Sequence, residues 1–134
     1  ANMVEIANQN AIEASVTNVT FTANSIENYS TDKPLDMVLG LSILHLLDDK
    51  QAAIEKIHTL LKDDGLFITS TICIGEKMAY LKFLTPIAKL FGLTISVFNP
   101  KQLRQSLTTS GFVIEHEWQP ESGKAVFIVA RKKA

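Results

Sequence analysis

Two apolar runs, Leu35–Leu41 and Leu66–Ile74, sit on either side of a single amphipathic stretch. That arrangement constrains the chain more than any other feature. Each run is too short for a membrane span and carries too few polar residues for a strand with one wet face, so each reads as a strand covered on both sides. The stretch between them opens with Asp48 and, three residues on, Gln51, the pattern of a capping box. Ile54, Ile57, Leu60 and Leu61 follow at helical spacing, and Asp63-Asp64-Gly65 ends the helix, with the glycine expected in the left-handed C-terminal position. Strand, helix and strand in this order predict a parallel pair joined by a crossover.

The flanking segments extend the pattern. Met3, Ile6, Ala7 and Ala14 predict an amphipathic helix over residues 3–14, and Val19–Thr22 a short strand. Met78, Leu81, Phe83, Leu84, Ile87, Leu90 and Phe91 are too many apolar residues for a narrow stripe, and Pro86 breaks or kinks that helix near Thr85. Asn99-Pro100-x-Gln102 is a strong helix start, with a stop expected at Ser110-Gly111. Phe112–Gln119 and Lys124–Arg131 predict two strands joined by Pro120–Gly123, a turn so short that they must be antiparallel. The expected fold is one α/β domain over residues 1–134, with a mixed sheet of about five strands ending in an antiparallel hairpin.

Composition excludes several functions. The 134 residues are 46% hydrophobic and 20% charged with net charge -1, a globular balance without the basic excess of a nucleic-acid binder. No run of eighteen apolar residues is present, so no membrane span is expected. The single cysteine, Cys73, rules out an internal disulfide and fits a reducing, cytoplasmic setting. His58 and His116 lack partners at metal-ligand spacing, and the aspartate pairs read as caps and turns, so no metal site is expected.

The stretch "LDMVLGLSILHLLDD" (residues 35–49) resembles the strand and loop of class I S-adenosylmethionine-dependent methyltransferases that read Asp, three apolar residues, a small residue, then Leu-Ser-apolar-Leu-His. "AIEKIHTLLKDDGLFI" is similar to that family's next helix and strand, "ANMVEIANQNA" to the segment just past the acid that holds the cofactor ribose, and "SGFVIEHEW" with "AVFIVARKK" to its closing hairpin. The four pieces stand in the family's order and span nearly the whole chain. The family's glycine-rich loop, its first strand and the acid ending its second strand have no counterpart, so the chain resembles the C-terminal two-thirds of an incomplete Rossmann-like methyltransferase.

The resemblance implies S-adenosylmethionine as cofactor and a small-molecule methyl acceptor. It places Met3 against the adenine ring and Ser25 and Ile26 at the adenine edge, with serine where the family often has aspartate. Gly40 and Leu41 fall beneath the methionine part of the cofactor, and His45 on the substrate side. Each position also has a structural reading: Met3 as core, Ser25 as a turn residue, Gly40 as a bulge or packing glycine, His45 as a capping or packing residue. The stretch 78–91 falls in the family's variable region and is expected either to shape an apolar acceptor pocket or to pack on the sheet. A missing first strand would leave Leu35–Leu41 with a naked edge, open to Val19–Thr22 moving inward or to a homodimer or swapped oligomer. Two functions stay open: a methyltransferase, or part of one, with impaired cofactor binding that is inactive alone; and a non-catalytic interaction module derived from one.

Overall fold

The computed structural model describes residues 2–72, 99–120 and 125–133. Helix α1 spans Asn2–Glu13, strand β1 Leu35–Leu41, a 3-10 turn Leu44–Leu46, and helix α2 Lys50–Leu60. Strand β2 spans Leu61–Ile72, helix α3 Pro100–Thr109, and strands β3 and β4 Phe112–Trp118 and Ala125–Lys132. The stretch Met78–Phe91 and Cys73 lie outside the described residues.

The four strands lie in the order β1-β2-β4-β3. β1 and β2 are parallel, from Met37↔Leu66 to Leu41↔Ser70. β4 is antiparallel to both β2 and β3. The α/β fold with a mixed sheet and closing hairpin is as the sequence predicts.

One face of the sheet carries the core. Period-two alternation puts Phe67 of β2 on the same side as Val126, Ile128 and Ala130 of β4. Ile54 and Ile57 of α2 and Leu103 and Leu107 of α3 close over them, all fully or nearly fully buried. On the other face Met37, Leu39, Leu41, Trp118 and Phe127 keep more than a third of their surface open.

Four expectations are corrected. Val19–Thr22 is not a strand: the described sheet has four strands, and Val19 is exposed. A strand needs a ladder partner, and the free edge of β1 has not captured this segment. Helix α1 forms, but none of its residues is buried: its apolar positions Met3, Ile6 and Ile12 are exposed, and no described element covers them. The N-cap of α2 is Asp49 rather than Asp48, its side chain accepting from the Ala52 N–H at 2.9 Å. The left-handed residue after α2 is Asp64, with φ 61°, and not Gly65; it lies in β2, which pairs with β1 at Leu61 and shifts register before Leu66. Gly65 serves another purpose: a Cβ there would lie 2.8 Å from the Lys62 carbonyl oxygen, so the chain can fold back only without a side chain.

The capping signal of α3 is realised in full. Asn99 caps the helix, its side chain accepting from the Lys101 N–H at 2.9 Å, and Gln102 accepts from the Asn99 N–H. Gly111 ends the helix with φ 88°. One bidentate pair ties the hairpin to α3 and another joins its two strands. Arg104 grips Glu117, and Arg131 grips Glu115 while also donating to the Asp64 carbonyl.

Candidate functional site

A cavity of about 310 Å³ opens beside the carboxyl half of β1. That is the small end of the range for ligand pockets, roughly 300–1,000 Å³. It lies beside the carboxyl half of β1, and ligands of open α/β sheets bind outside the carboxyl ends of the strands. One wall is the loop Asn24–Glu27; the facing wall is Val38–Gly40 of β1 with Ile43 and Leu44; Leu47 and Ile57 close the base. The lining is predominantly apolar.

The loop wall is a tight turn. Asn24 Oδ1 accepts from the Ser25 N–H at 2.9 Å, and the Ser25 carbonyl accepts from the N–H groups of Asn28 and Tyr29. This is the local bonding that lets short polar residues replace a regular element. Ile26 turns inward and packs on the core. The turn therefore sets an apolar side chain beside the polar groups of Asn24, Ser25 and Glu27, a combination suited to a flat heteroaromatic ring with a polar rim.

Of the sequence-predicted residues, Ser25, Ile26 and Gly40 all line this cavity. Met3 stands apart, 85% exposed on α1, and Leu41 points away from it with 58% exposure. His45 lies in the 3-10 turn just past the cavity wall, and its Nδ1 is buried without a hydrogen-bond partner among the described residues. Gly40 has the packing role raised for it. A Cβ there would sit 3.0 Å from Phe67 Cε2 and 3.3 Å from Cζ. Its missing side chain thus leaves room for the core ring, while its backbone faces the cavity.

Sequence reasoning did not single out Asn24, Glu27, Leu47 or Ile57. The last two reach the cavity only through the packing of the 3-10 turn and α2 against each other and on β2. The signal that was available is the polar run Asn24-Ser25-x-Glu27 around one apolar residue. No group of three or more His, Cys, Asp or Glu able to hold a metal occurs among the described residues, and no described helix is long and apolar enough to cross a membrane.

The sheet order, the closing hairpin and the cavity at the end of β1 together define the class I S-adenosylmethionine-dependent methyltransferase fold. A family profile for a methyltransferase domain matches residues 1–122, and the chain belongs to that family. Solved structures agree on the fold. YcgJ from Bacillus subtilis superposes with a TM-score of 0.75 at 16% identity, over 99% of this chain and 79% of that one. The magnesium protoporphyrin IX methyltransferase from Synechocystis PCC 6803, solved with bound S-adenosylhomocysteine, gives 0.72 at 21% identity over 98% and 60%. The [4+2]-cyclase SpnF gives 0.78 at 17% identity over 98% and 62%. The chain thus spans less than two thirds of the length of the last two. A comparison with curated proteins finds no match.

Proposed function

We propose that this chain carries the adenine end of an S-adenosylmethionine site in a methyltransferase acting on a small, apolar acceptor. The observation that supports this most is the convergence of Ser25, Ile26 and Gly40 on one cavity at the carboxyl end of β1. The cofactor brings a sulfonium-bound methyl group that is already reactive, so the protein's share is orientation and exclusion of water. Ile26 and Ile43 offer apolar faces to the purine, and the hydroxyl of Ser25 and the amide of Asn24 offer hydrogen bonds at its rim. The apolar lining keeps water from the ring. His45, with an unpartnered buried nitrogen, is the substrate-side candidate. Met3 and Leu41 would reach a ligand only by moving. With a single cysteine, a reducing cytoplasmic setting suits the chain.

Affinity for the whole cofactor should be low. The residues present supply no glycine loop and no ribose-binding acid, and each absent hydrogen bond removes about 0.5–1.5 kcal/mol. A total loss of ~4 kcal/mol moves a micromolar Kd to about the millimolar. Calorimetric titration with S-adenosylhomocysteine tests this. A Kd on the order of 1 mM supports the reading, whereas no binding up to about 10 mM would remove it.

A second reading is favoured by the free edge of β1. Its backbone donors and acceptors on one side have no strand partner among the described residues, which invites pairing with a second copy. We infer a homodimer or swapped oligomer, and with it the alternative of a non-catalytic interaction module. The same fold under the name of a cyclase supports keeping reaction and fold apart. Sedimentation showing only monomer at micromolar concentration would exclude the oligomer.

A further inference from the structure

The carboxyl end of β1 is held from both faces of the sheet by two consecutive hydroxyl residues of β2. Neighbouring residues in a strand point to opposite faces, so Thr69 and Ser70 approach β1 from opposite sides. Thr69 Oγ1 donates to the Gly40 carbonyl at 3.0 Å. The Ser42 N–H donates to both the Ser70 carbonyl, at 2.9 Å, and Ser70 Oγ, at 3.0 Å. Ser42 Oγ lies 3.5 Å from Ser70 Oγ. Thr69 is fully buried and Ser70 is 6% exposed.

Ser42 adopts φ 55°, a left-handed backbone that a serine takes at a cost. The other non-glycine residues with positive φ among those described are Ser15 and Asp64. Ser15 follows the end of α1, where such conformations are common, and Asp64 lies in the irregular stretch of β2 between its pairings at Leu61 and Leu66. Ser42 instead follows a strand, and no helix end accounts for it. Strained backbone of this kind persists where surrounding bonds over-determine it, and it gathers at binding sites. The consequence here is local: Gly40 and Ile43, on either side of this turn, both line the cavity, while Ser42 itself does not. Just past the turn, Ile43 and Leu44 line the cavity together with the loop Asn24–Glu27.

We propose that Thr69 and Ser70 are positioning residues: their hydroxyls clamp Gly40 and Ser42 so that residues 40–44 form a fixed wall of the cavity. β1 has one ladder neighbour among the described residues, and the ladder ends at Leu41↔Ser70. Past that pair the Ser42 N–H is held by the Ser70 carbonyl and hydroxyl together, and within the ladder Thr69 Oγ1 pins the Gly40 carbonyl. The ligand part of the proposal rests on the nucleoside reading given above; the clamp itself is observable without ligand.

The test measures amide hydrogen exchange residue by residue in the free full chain, and adenosine affinity by NMR titration. It compares wild type with Ser70→Ala, Ser70→Thr and Thr69→Val. Ser70→Ala removes one of the two acceptors of the Ser42 N–H and leaves the Ser70 carbonyl, so it should speed exchange at Ser42 about threefold, the low end for one hydrogen bond, and weaken adenosine by a similar factor. Ser70→Thr, which keeps the hydroxyl, should restore both. Thr69→Val keeps shape and loses the donor, so it should weaken adenosine likewise, and it carries the test if Ser70→Ala does not fold. Amides in the middle of β4 should not respond, whereas a merely structural role would speed exchange across the sheet. Unchanged exchange at Ser42 in folded Ser70→Ala overturns the clamp. Equal adenosine affinity in wild type and variants overturns the positioning role while leaving the nucleoside reading intact. If exchange follows the clamp but adenosine perturbs nothing in wild type, the clamp stands and the nucleoside reading falls.

Discussion

Replacing Gly40 by alanine separates a glycine kept for the core from one kept for a ligand. The added Cβ would lie 3.0 Å from Phe67 Cε2 and 3.3 Å from Cζ, closer than ordinary van der Waals contact. Phe67 cannot retreat freely: it is fully buried and packs against Phe112 with ring centroids 5.8 Å apart. Overpacking a tight core in this way costs about 1–3 kcal/mol. Against it stands the gain from removing a strand glycine, roughly 0.5–1 kcal/mol. The net expectation for Gly40→Ala is a loss of about 1 kcal/mol. In a Phe67→Leu background the clash disappears, and Gly40→Ala should then be neutral or stabilising by ~0.5 kcal/mol. The two substitutions should therefore couple by about 1–1.5 kcal/mol, outside the ~0.3–0.5 kcal/mol within which independent sites add. Urea unfolding of the wild type, both single variants and the double variant measures this. Gly40→Ala as stable as wild type, with additive energies, would refute the packing role and return Gly40 to ligand approach alone.

Two further outcomes are expected. Gly111→Ala should destabilise by about 1–3 kcal/mol in thermal or urea unfolding, because φ 88° disfavours any side chain and the new Cβ would lie 2.9 Å from His58 Nε2. His58 should also give a pH signature. Burial holds its imidazole below the ordinary 6.5 and Lys132 adds to the effect, while the Gly111 backbone and Asp63 pull the other way. The unfolded chain then binds more protons than the native one just below pH 6.5, so stability is full above that pH and declines as pH falls toward the lowered native value. Unfolding of His58→Leu between about pH 6.5 and 5.5 should show a shallower slope than wild type; an identical slope would remove His58 as its source.

Much of the fold was legible because local chemistry and tertiary structure agree there. The apolar run Leu35–Leu41 became β1, the Asn99-Pro100-x-Gln102 signal became a complete capping box, and the short link after Trp118 forced an antiparallel hairpin. What escaped depends on lateral neighbours that a linear reading does not contain. Val19–Thr22 has strand composition but no ladder, and α1 has helical spacing but no described surface to cover. Asp64 rather than Gly65 takes the left-handed position, while the glycine leaves room for the Lys62 carbonyl. At the site, Ser25, Ile26 and Gly40 could be aligned with family positions, and they converge on one cavity. Leu47, Ile57 and the hydroxyls of Thr69 and Ser70 could not be read out, since their place is set by how α2 packs on β2 and how β2 lies along β1. The Thr69-Ser70-Thr71 run in an otherwise apolar strand was the one available hint.

The most direct test of the adenine-end assignment is chemical-shift mapping of the isotope-labelled chain with adenosine and with S-adenosylhomocysteine. The account predicts shifts concentrated at Ser25, Ile26, Gly40 and Ile43 with both ligands, at similar millimolar affinities, because the residues present hold the base and little else. Shifts centred elsewhere on the sheet, or none with either ligand up to about 10 mM, would contradict it.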